Sequence, residues 1–305
     1  MTSSEFTHLV ITRYAVAVPG RTAPPDADWL RYRLGFFEQA LCQSLAAQTC
    51  QDFTWLVYVD DRCPPDFRDV MDDLATEFGF EPIWTHELFS QRVARDVAER
   101  AATPFVITTR IDSDDAVAKE FVESVQREFK PWDRLFVDFM CGLQVDRSGS
   151  VYRFDVPSSP FMSMIERRGE TLPTTVFGMG HTMVRYFGPL RIVVGPPMWL
   201  MVVHGGNWQT QIGGPRVLPR QLNERFSLSL LYREDVGGAR FVWEKIRDDT
   251  RLWAHRARHL QVGWAVRMRA RWRGSVTLTT APPPLGEPSW RLRARRWRDR
   301  HLGRG

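Results

Sequence analysis

Three carboxylates within four positions are the clearest chemical feature of the sequence. Asp112, Asp114 and Asp115 follow the apolar run PFVITT, residues 104–109. Like charges this close repel one another, so the cluster is costly unless a positive charge lies among them. A divalent cation is the natural candidate, because Asp-x-Asp oxygens suit Mg²⁺ or Mn²⁺ and leave coordination positions for substrate phosphates. The alternative is that Asp114 or Asp115 caps a helix beginning near Ala116.

A second acid pair follows an earlier apolar run. Asp60 and Asp61 come directly after FTWLVYV, which has the composition of a strand buried on both faces. Strands and helices alternate along this part of the chain, a pattern typical of a parallel sheet with helices on both faces. The predicted strands are 6–12, 53–59, 81–85 and 103–111, and the predicted helices are 29–47, 65–78, 87–101 and 116–129. Ligands of such sheets bind outside the carboxyl ends of the strands, where both acid clusters are expected.

The remainder of the chain predicts a different organisation. Residues 143–146 and 150–154 flank the turn 147–149 and predict an antiparallel hairpin. Residues 157–220 are rich in Pro, Gly, Met and aromatic residues, a composition that favours loops closing over a site. The overall prediction is an α/β fold with a mixed, mainly parallel sheet flanked by helices.

Composition sets the broad class. The 305 residues are 43% hydrophobic, enough to bury a sizeable core. No apolar stretch approaches the roughly 18–20 residues that span a bilayer, and the N-terminus lacks the layout of a signal peptide, so we expect a cytoplasmic protein. The four cysteines show neither zinc nor redox spacing and are expected to be reduced thiols.

Charge divides the chain into two parts. Residues 251–305 contain 14 arginines and two acids, a balance of +12, whereas the whole chain carries +5 and residues 1–250 therefore −7. We predict a catalytic domain over 1–250 and a basic, Arg/Trp-rich extension over 251–305. Tryptophans at helical spacing, Trp264 with Trp272 and Trp290 with Trp297, would let the extension lie peripherally on an anionic membrane surface. A solvated extension is the alternative.

Two ordered motifs indicate a family. The run SLAAQTCQDFTWLVYVDD, residues 44–61, resembles the helix-to-strand signature of family 2 type glycosyltransferases, and ITTRIDSDD resembles their Asp-x-Asp strand end. PPMWLMVVHGGNWQT, residues 196–210, looks like a segment of the bacterial rhamnosyltransferase group. The resemblance covers residues 5–250 and implies a Rossmann-like GT-A fold that transfers a sugar, rhamnose in that group, from a nucleotide-diphosphate donor.

The resemblance implies a nucleotide-sugar site. Asp60 or Asp61 would accept a hydrogen bond from the base, Thr12 and Arg13 would line the same pocket, and Asp112 would face the ribose or the metal. The expected acceptor is a hydroxyl of a glycan or of a lipid-linked molecule.

The resemblance also implies a metal site for Mn²⁺ or Mg²⁺. Asp112, Asp114 and the later His204 would be its ligands, although a histidine in a glycine-rich turn can also be merely hydrogen-bonded. Arg110 would pair with the diphosphate, or else form an internal salt bridge to Asp112 or Asp115.

The catalytic base is the least determined feature. Family 2 enzymes carry a late acidic motif, yet no Asp or Glu occurs between Thr171 and Asn223. The base could be an earlier acid or His181, or a retaining enzyme could lack a dedicated base. If rhamnose is transferred with inversion, Glu166 or His181 is the predicted base. The other acidic candidates are Asp138, Asp155 and Glu170.

Three aromatic residues are candidates for sugar contact. Trp199, Trp208 and Phe177 could stack on sugars or could simply belong to the core.

Two other functions are alternatives to glycosyl transfer. A nucleotidyltransferase would also use carboxylates and metal on an α/β sheet, but the chain lacks a Gly-rich phosphate loop. A nucleic-acid-binding protein acting through the tail is less expected, because the body is acidic.

Overall fold

The structure, a computed structural model, describes residues 5–205, 212–230, 238–256 and 276–279. Its strands are β1 (Phe6–Ala15), β2 (Thr54–Val59), β3 (Glu81–Trp84), β4 (Phe105–Arg110), β5 (Ala116–Val117), β6 (Leu135–Phe139), β7 (Cys141–Asp146), β8 (Val151–Asp155), β9 (Ser163–Arg167), β10 (Leu190–Val194), β11 (Trp199–Val203), β12 (Arg216–Val217) and β13 (Val276–Thr279). Its α-helices are α1 (Ala27–Phe36), α2 (Gln43–Ala46), α3 (Pro65–Phe78), α4 (Phe89–Arg100), α5 (Phe121–Arg127), α6 (Arg220–Arg225) and α7 (Ala239–Arg256). A π-helical segment (Phe37–Cys42) and a 3₁₀ helix (His181–Tyr186) complete the elements.

The first helical segment confirms the predicted amphipathic helix. Asp26 caps α1 by accepting hydrogen bonds from two backbone amides, and the π-helical segment connects α1 to α2 without a break. Leu30, Phe37, Leu41 and Leu45 of the predicted apolar stripe are all fully buried. The hydrophobic spacing continues through the π-helical segment, so this change in helix type has no sign in the sequence.

An eight-stranded sheet in the described residues positions the acid clusters. Its strand order is β13-β10-β6-β9-β4-β1-β2-β3. β1 pairs in parallel with β2 and β4, and β2 with β3, whereas β9 is antiparallel to both β4 and β6. The predicted mixed, mainly parallel α/β sheet is therefore confirmed, and β1, β2 and β4 end at the same edge.

A second, five-stranded sheet in the order β12-β8-β7-β11-β5 covers this edge from one side. The predicted hairpin is present as the antiparallel pair β7–β8. β11 pairs with β7 and with β5, and so carries His204, the residue directly after it, toward the aspartates that precede β5.

The helix predicted over 116–129 is wrong in its first turn. Ala116 and Val117 form β5, paired with Leu200 and Trp199, and α5 begins only at Phe121. Local propensity favoured a helix, but pairing with a strand more than 80 residues away determines the backbone here.

The C-terminal part is described only in short segments. α7 runs across the predicted boundary at residue 250, and β13 pairs with β10 at the edge of the large sheet. None of the described helices combines the length and apolarity needed to cross a membrane. Trp264, Trp272, Trp290, Trp297 and Trp208 lie outside the described residues. The four cysteines are free, and three of them are buried.

Candidate functional site

Two arginines share one aspartate at the carboxyl edge of the large sheet. Asp112, just beyond β4, accepts hydrogen bonds from Arg13 of β1 at 3.1 Å and from Arg110 of β4 at 2.8 Å. Burial alone would raise the pKa of Asp112, but the two guanidinium groups outweigh it and hold this pKa well below its ordinary range. Two positive charges thus face one negative charge, which leaves a positive surplus where the strands end.

Thr12 does not line this site with Arg13. Its side chain is fully buried and its hydroxyl accepts a hydrogen bond from the indole N–H of Trp55 at 3.1 Å. Successive strand residues point to opposite faces, so Thr12 faces the core while Arg13 faces the site. The prediction that both line one pocket is corrected accordingly.

Asp114 and His204 meet as the resemblance implied. The Asp114 carboxylate lies 2.9 Å from Nε2 of His204, and both residues are buried. The third member of this group was not predicted: Arg33 of α1 donates to both oxygens of Asp114, at 2.6 and 2.9 Å. No sequence signal links Arg33 to residues some 80 positions away, since its place on α1 shows only that it lies off the apolar stripe.

Asp115 has neither of the roles considered for the cluster. It is buried and accepts a hydrogen bond from the backbone N–H of Val202 at 3.1 Å, joining the aspartate loop to β11. Burial and the nearby charges of Asp114 and Asp112 raise the pKa of Asp115 well above its ordinary value, which favours its neutral form. Because no helix begins near Ala116, the capping role for Asp114 or Asp115 is excluded.

The expected metal site does not fit this arrangement. Asp112 is held by its two arginines, so only Asp114 and His204 come together as possible ligands, and Arg33 covers both oxygens of Asp114. Within the described ranges, no group of three or more His, Cys, Asp or Glu side chains could hold a metal ion. The role of Mn²⁺ or Mg²⁺ remains a prediction.

Asp60 and Asp61 lie at the end of β2 on the same edge as Arg13. Asp60 is buried and accepts from Arg62 through its backbone N–H at 2.9 Å and through its guanidinium at 2.6 Å. Although burial acts in the opposite direction, Arg62 lowers the pKa of Asp60. Asp61 is more exposed and lies 2.9 Å from Nδ1 of His86.

His181 reaches the site from the start of the 3₁₀ helix. Its Nδ1 lies 2.6 Å from the carbonyl oxygen of Ser158, which can only accept, so Nδ1 carries a proton. In the neutral imidazole, Nε2 then holds the lone pair. Burial lowers the pKa of His181, and the neighbouring charges of Arg110 and Arg13 act in the same direction, against the Ser158 carbonyl and Asp112. His181 is therefore neutral near pH 7 and lies close to the arginine–aspartate group.

Asp138 fixes the loop that holds His181. Its carboxylate accepts from the backbone N–H groups of Ser158 at 2.6 Å and Ser159 at 3.1 Å. Ser158 has a positive φ of 58°, a conformation that non-glycine residues seldom adopt without such support. Burial raises the pKa of Asp138 to about 6. Asp138 is fully buried beneath the loop, so it supports His181 and does not face the site itself.

The prediction of Glu166 as catalytic base is wrong. Glu166 lies in β9 opposite Val106, near the beginning of β4. Arg110 lies at the other end of β4, where its backbone N–H donates to the carbonyl oxygen of Met162. Val106 and Arg110 are four residues apart, about 13 Å along the strand. Glu166 is buried there, and its two oxygens accept from the backbone N–H groups of Thr174 and Thr175. Its role is to hold a loop at the opposite edge.

The remaining acidic candidates have other surroundings. Glu170 is exposed three residues beyond β9, near the same distant edge as Glu166. Asp155 ends β8 in the second sheet and accepts a hydrogen bond from Arg153 at 2.5 Å. The charges of Arg13, Arg110 and Asp112 act on His181, which keeps this histidine as the base candidate at the carboxyl end of β4.

The aromatic candidates separate into core and site. Trp199 is fully buried, stacks on Phe161 and donates to the carbonyl of Phe139, so it belongs to the core. A Cβ atom at Gly142 would lie 2.2 Å from the Trp199 ring, which shows how closely β7 approaches it. Phe177 is half-buried and lies under the guanidinium of Arg13, 5.3 Å from its ring centre. Phe177 can therefore stack on a ligand held by the arginine.

Comparison with solved structures gives distant matches. Among solved structures, residues 1–349 of S. aureus TarS are similar to this chain with a TM-score of 0.38 and 13% identity, covering 64% of this chain and 60% of TarS 1–349. The same fragment in complex with UDP gives a TM-score of 0.38 and 14% identity, covering 72% and 62%. This chain thus spans about three fifths of those TarS chains. No curated protein matches the chain significantly in sequence.

The sequence of this chain matches the model of a known protein family. The model of the family described as "Putative rhamnosyl transferase" matches residues 20–216. That range includes α1 with Arg33, the end of β2 with Asp60, the aspartates at 112–115 and His204. Because the match spans more than half of the chain, the protein belongs to this family of glycosyltransferases.

Proposed function

We propose that the protein transfers a sugar from a nucleoside-diphosphate donor to an acceptor hydroxyl. The observation that carries the proposal is the positive surplus made by Arg13 and Arg110 on the single carboxylate of Asp112. The Nε–H groups of both arginines are buried and lack an acceptor among the described residues. Buried donors without partners are costly, and guanidinium groups match phosphate oxygens in geometry and charge. A diphosphate is the ligand that this pair would accept.

The neighbouring strand end supports a nucleoside next to the diphosphate. Asp60 lies at the end of β2, the strand that pairs with β1, and keeps its negative charge in the folded protein. A carboxylate offers about four lone-pair positions, so Asp60 can accept from a base or ribose as well as from Arg62. Rhamnose as the sugar follows the family description and remains a proposal, as does a glycan or lipid-linked acceptor.

The reaction proposed is a displacement at the anomeric carbon. The bond from this carbon to the phosphate oxygen breaks, its electron pair leaves with the diphosphate, and Arg13 and Arg110 stabilise the charge that develops there. The acceptor oxygen forms the new bond to the anomeric carbon. Its proton passes to Nε2 of His181, whose lone pair is kept available by the Nδ1–H bond to Ser158. This course inverts the configuration of the sugar.

Calorimetry with a set of nucleotides tests the proposal. We expect one nucleoside diphosphate and its sugar conjugates to bind at least about tenfold more tightly than the monophosphate, because the arginine pair contacts both phosphates. Chromatography should then show release of the nucleoside diphosphate when a hydroxyl acceptor is supplied. Absence of binding by every nucleoside-diphosphate sugar would contradict the proposal, and tighter binding of a triphosphate would favour nucleotidyl transfer instead.

Peripheral membrane contact through the extension stays a prediction. The tryptophans and most arginines that motivate it lie outside the described residues. Removing residues 285–305 should reduce binding to vesicles containing anionic lipid without changing hydrolysis of the sugar nucleotide.

A further inference from the structure

Arg33 lies where the sequence predicted a metal ion. Its guanidinium donates to Oδ2 of Asp114 at 2.6 Å and to Oδ1 at 2.9 Å, a bidentate pairing that occupies both carboxylate oxygens. The side chains of Arg33 and Asp114 are only 12% and 7% exposed. We propose that Arg33 is the built-in cation of the Asp114–His204 pair, so that transfer proceeds without a divalent metal there. This inference rests on the proposed transfer from a diphosphate donor.

The distance between Asp114 and His204 would permit a metal ion, but the position of Arg33 disfavours one. Asp114 and Nε2 of His204 are 2.9 Å apart, a separation that two ligands of one small cation could also adopt. The Asp114 oxygens keep further lone pairs, but a divalent cation bound to them would lie beside the positive guanidinium of Arg33, whose Nη1 is also 3.4 Å from Nε2 of His204. Repulsion between the two cations disfavours metal binding as long as Arg33 stays in this position.

Several contacts hold Arg33 in this position. Its Nη2 also donates to the hydroxyl of Ser113 at 2.8 Å, and its guanidinium lies 5.4 Å from the ring centre of Trp29. The partner side is equally fixed, because the His204 ring stacks on Phe36 with 4.3 Å between ring centres. Both Arg33 and Phe36 belong to α1, so one helix places the cation and orients the histidine.

The negative charges of the aspartate cluster have positively charged partners without a metal. Asp112 has Arg13 and Arg110, and Asp114 has Arg33. A guanidinium remains charged at all ordinary pH values and binds oxyanions bidentately. It can therefore stabilise the negative charge of a leaving diphosphate, as a metal ion would. The Nε–H of Arg33 is buried and has no acceptor among the described residues.

Manganese binding and metal-free transfer together test the inference. We would titrate Mn²⁺ into the full-length protein and into Arg33→Met and Asp114→Asn, following free Mn²⁺ by electron paramagnetic resonance. Turnover of the sugar nucleotide would be measured with EDTA and with Mn²⁺. The parent protein should show no saturable Mn²⁺ site that depends on Asp114, and its turnover should be equal in both media. Arg33→Met should lose at least about tenfold of its turnover in EDTA, the effect of removing a charge-assisted contact.

Arg31→Met is the matched control. Arg31 lies on the same helix but is exposed and pairs with Asp28, so its loss should change neither Mn²⁺ binding nor turnover. A saturable Mn²⁺ site in the parent that Asp114→Asn removes, together with turnover abolished by EDTA, would overturn the inference. If Arg33→Met does not fold, the parent and Asp114→Asn titrations still decide it. If no sugar nucleotide is turned over, the proposed function fails, whereas the Mn²⁺ titration still reports on Arg33.

Discussion

Replacing Arg110 with glutamine tests the arginine pair most directly. Arg110 donates to Asp112 at 2.8 Å and its side chain is only 16% exposed, so it acts in a largely desolvated position. Asp112 keeps its 3.1 Å hydrogen bond from Arg13, and therefore does not become an unpaired buried charge. The substitution loses one charge-assisted hydrogen bond but also relieves the repulsion between Arg110 and Arg13, so we expect the free energy of unfolding to fall by only about 1 kcal/mol.

Binding of the nucleoside diphosphate should suffer much more than stability. The substitution removes the positive surplus of the site, since one arginine would then face one aspartate. A charge-assisted hydrogen bond to phosphate is worth about 1.5–3 kcal/mol, which corresponds to a Kd raised by about 10- to 150-fold. The change should be smaller for the nucleoside alone, which has no phosphate to lose.

Isothermal titration calorimetry with the tightest-binding nucleoside diphosphate measures this change. Arg127→Gln is the control, because Arg127 is exposed on α5 and pairs only with Glu123 among the described residues. Circular dichroism verifies that each variant is folded. A folded Arg110→Gln protein whose Kd stays within twofold of the parent value would refute the assignment of this pair to the diphosphate.

Three further variants distinguish a residue that acts in catalysis from residues that stabilise the fold. His181→Gln should lower kcat by about 10²–10⁴ with an unchanged donor Kd. Because burial lowers the pKa of His181, we expect the parent to lose activity only at a pH below the ordinary range of histidine, and this loss should be absent from the variant. Glu166→Gln should keep kcat within about twofold but lose about 1–3 kcal/mol of unfolding free energy, because one backbone N–H loses its acceptor. Asp138→Asn should change how stability depends on pH. Asp138 binds a proton more readily in the folded state, so its stabilisation is full below pH 3.8 and is lost as the pH rises through about 6. The parent's advantage over the variant in urea unfolding should therefore fall by about 2.4 kcal/mol between pH 4 and 7.

Each of these expectations has a contrary result. A normal kcat in His181→Gln would remove the histidine from proton transfer. A large loss of kcat in a stable Glu166→Gln protein would restore the acid as a base candidate. A difference between parent and Asp138→Asn that does not vary with pH would show that the buried carboxyl does not titrate in this range. Comparing differences with the parent cancels contributions from other groups, such as buried His8, whose pKa burial lowers to about 3.

The strand-end location of the acids was predictable from the sequence. Apolar runs followed by Asp60 and Asp112 predict parallel strands, and parallel strands end at one edge, so both acids had to lie there. The family resemblance implied that His204 lies near Asp114, and the two side chains are 2.9 Å apart, whereas a shared metal remains a prediction. The strand-end prediction succeeded because period, burial and chain order are local properties of the sequence.

Other features depended on pairing between distant segments. Two residues that read as the start of a helix, Ala116 and Val117, form a strand because β11 lies beside them. Glu166 was a candidate base until β9, running antiparallel to β4, placed it at the wrong edge. Trp199 was a candidate sugar contact until the two sheets enclosed it.

The sequence by itself determined that clustered aspartates at the end of a buried strand need a positive charge beside them. Only the tertiary structure decided what that charge is: Arg33, on a helix whose spacing shows just that this residue lies off the apolar stripe. The physical reason is that repulsion among neighbouring carboxylates is a local property of the chain. Their compensation comes from whichever cation the packing of α1 against the strand ends brings within hydrogen-bonding distance.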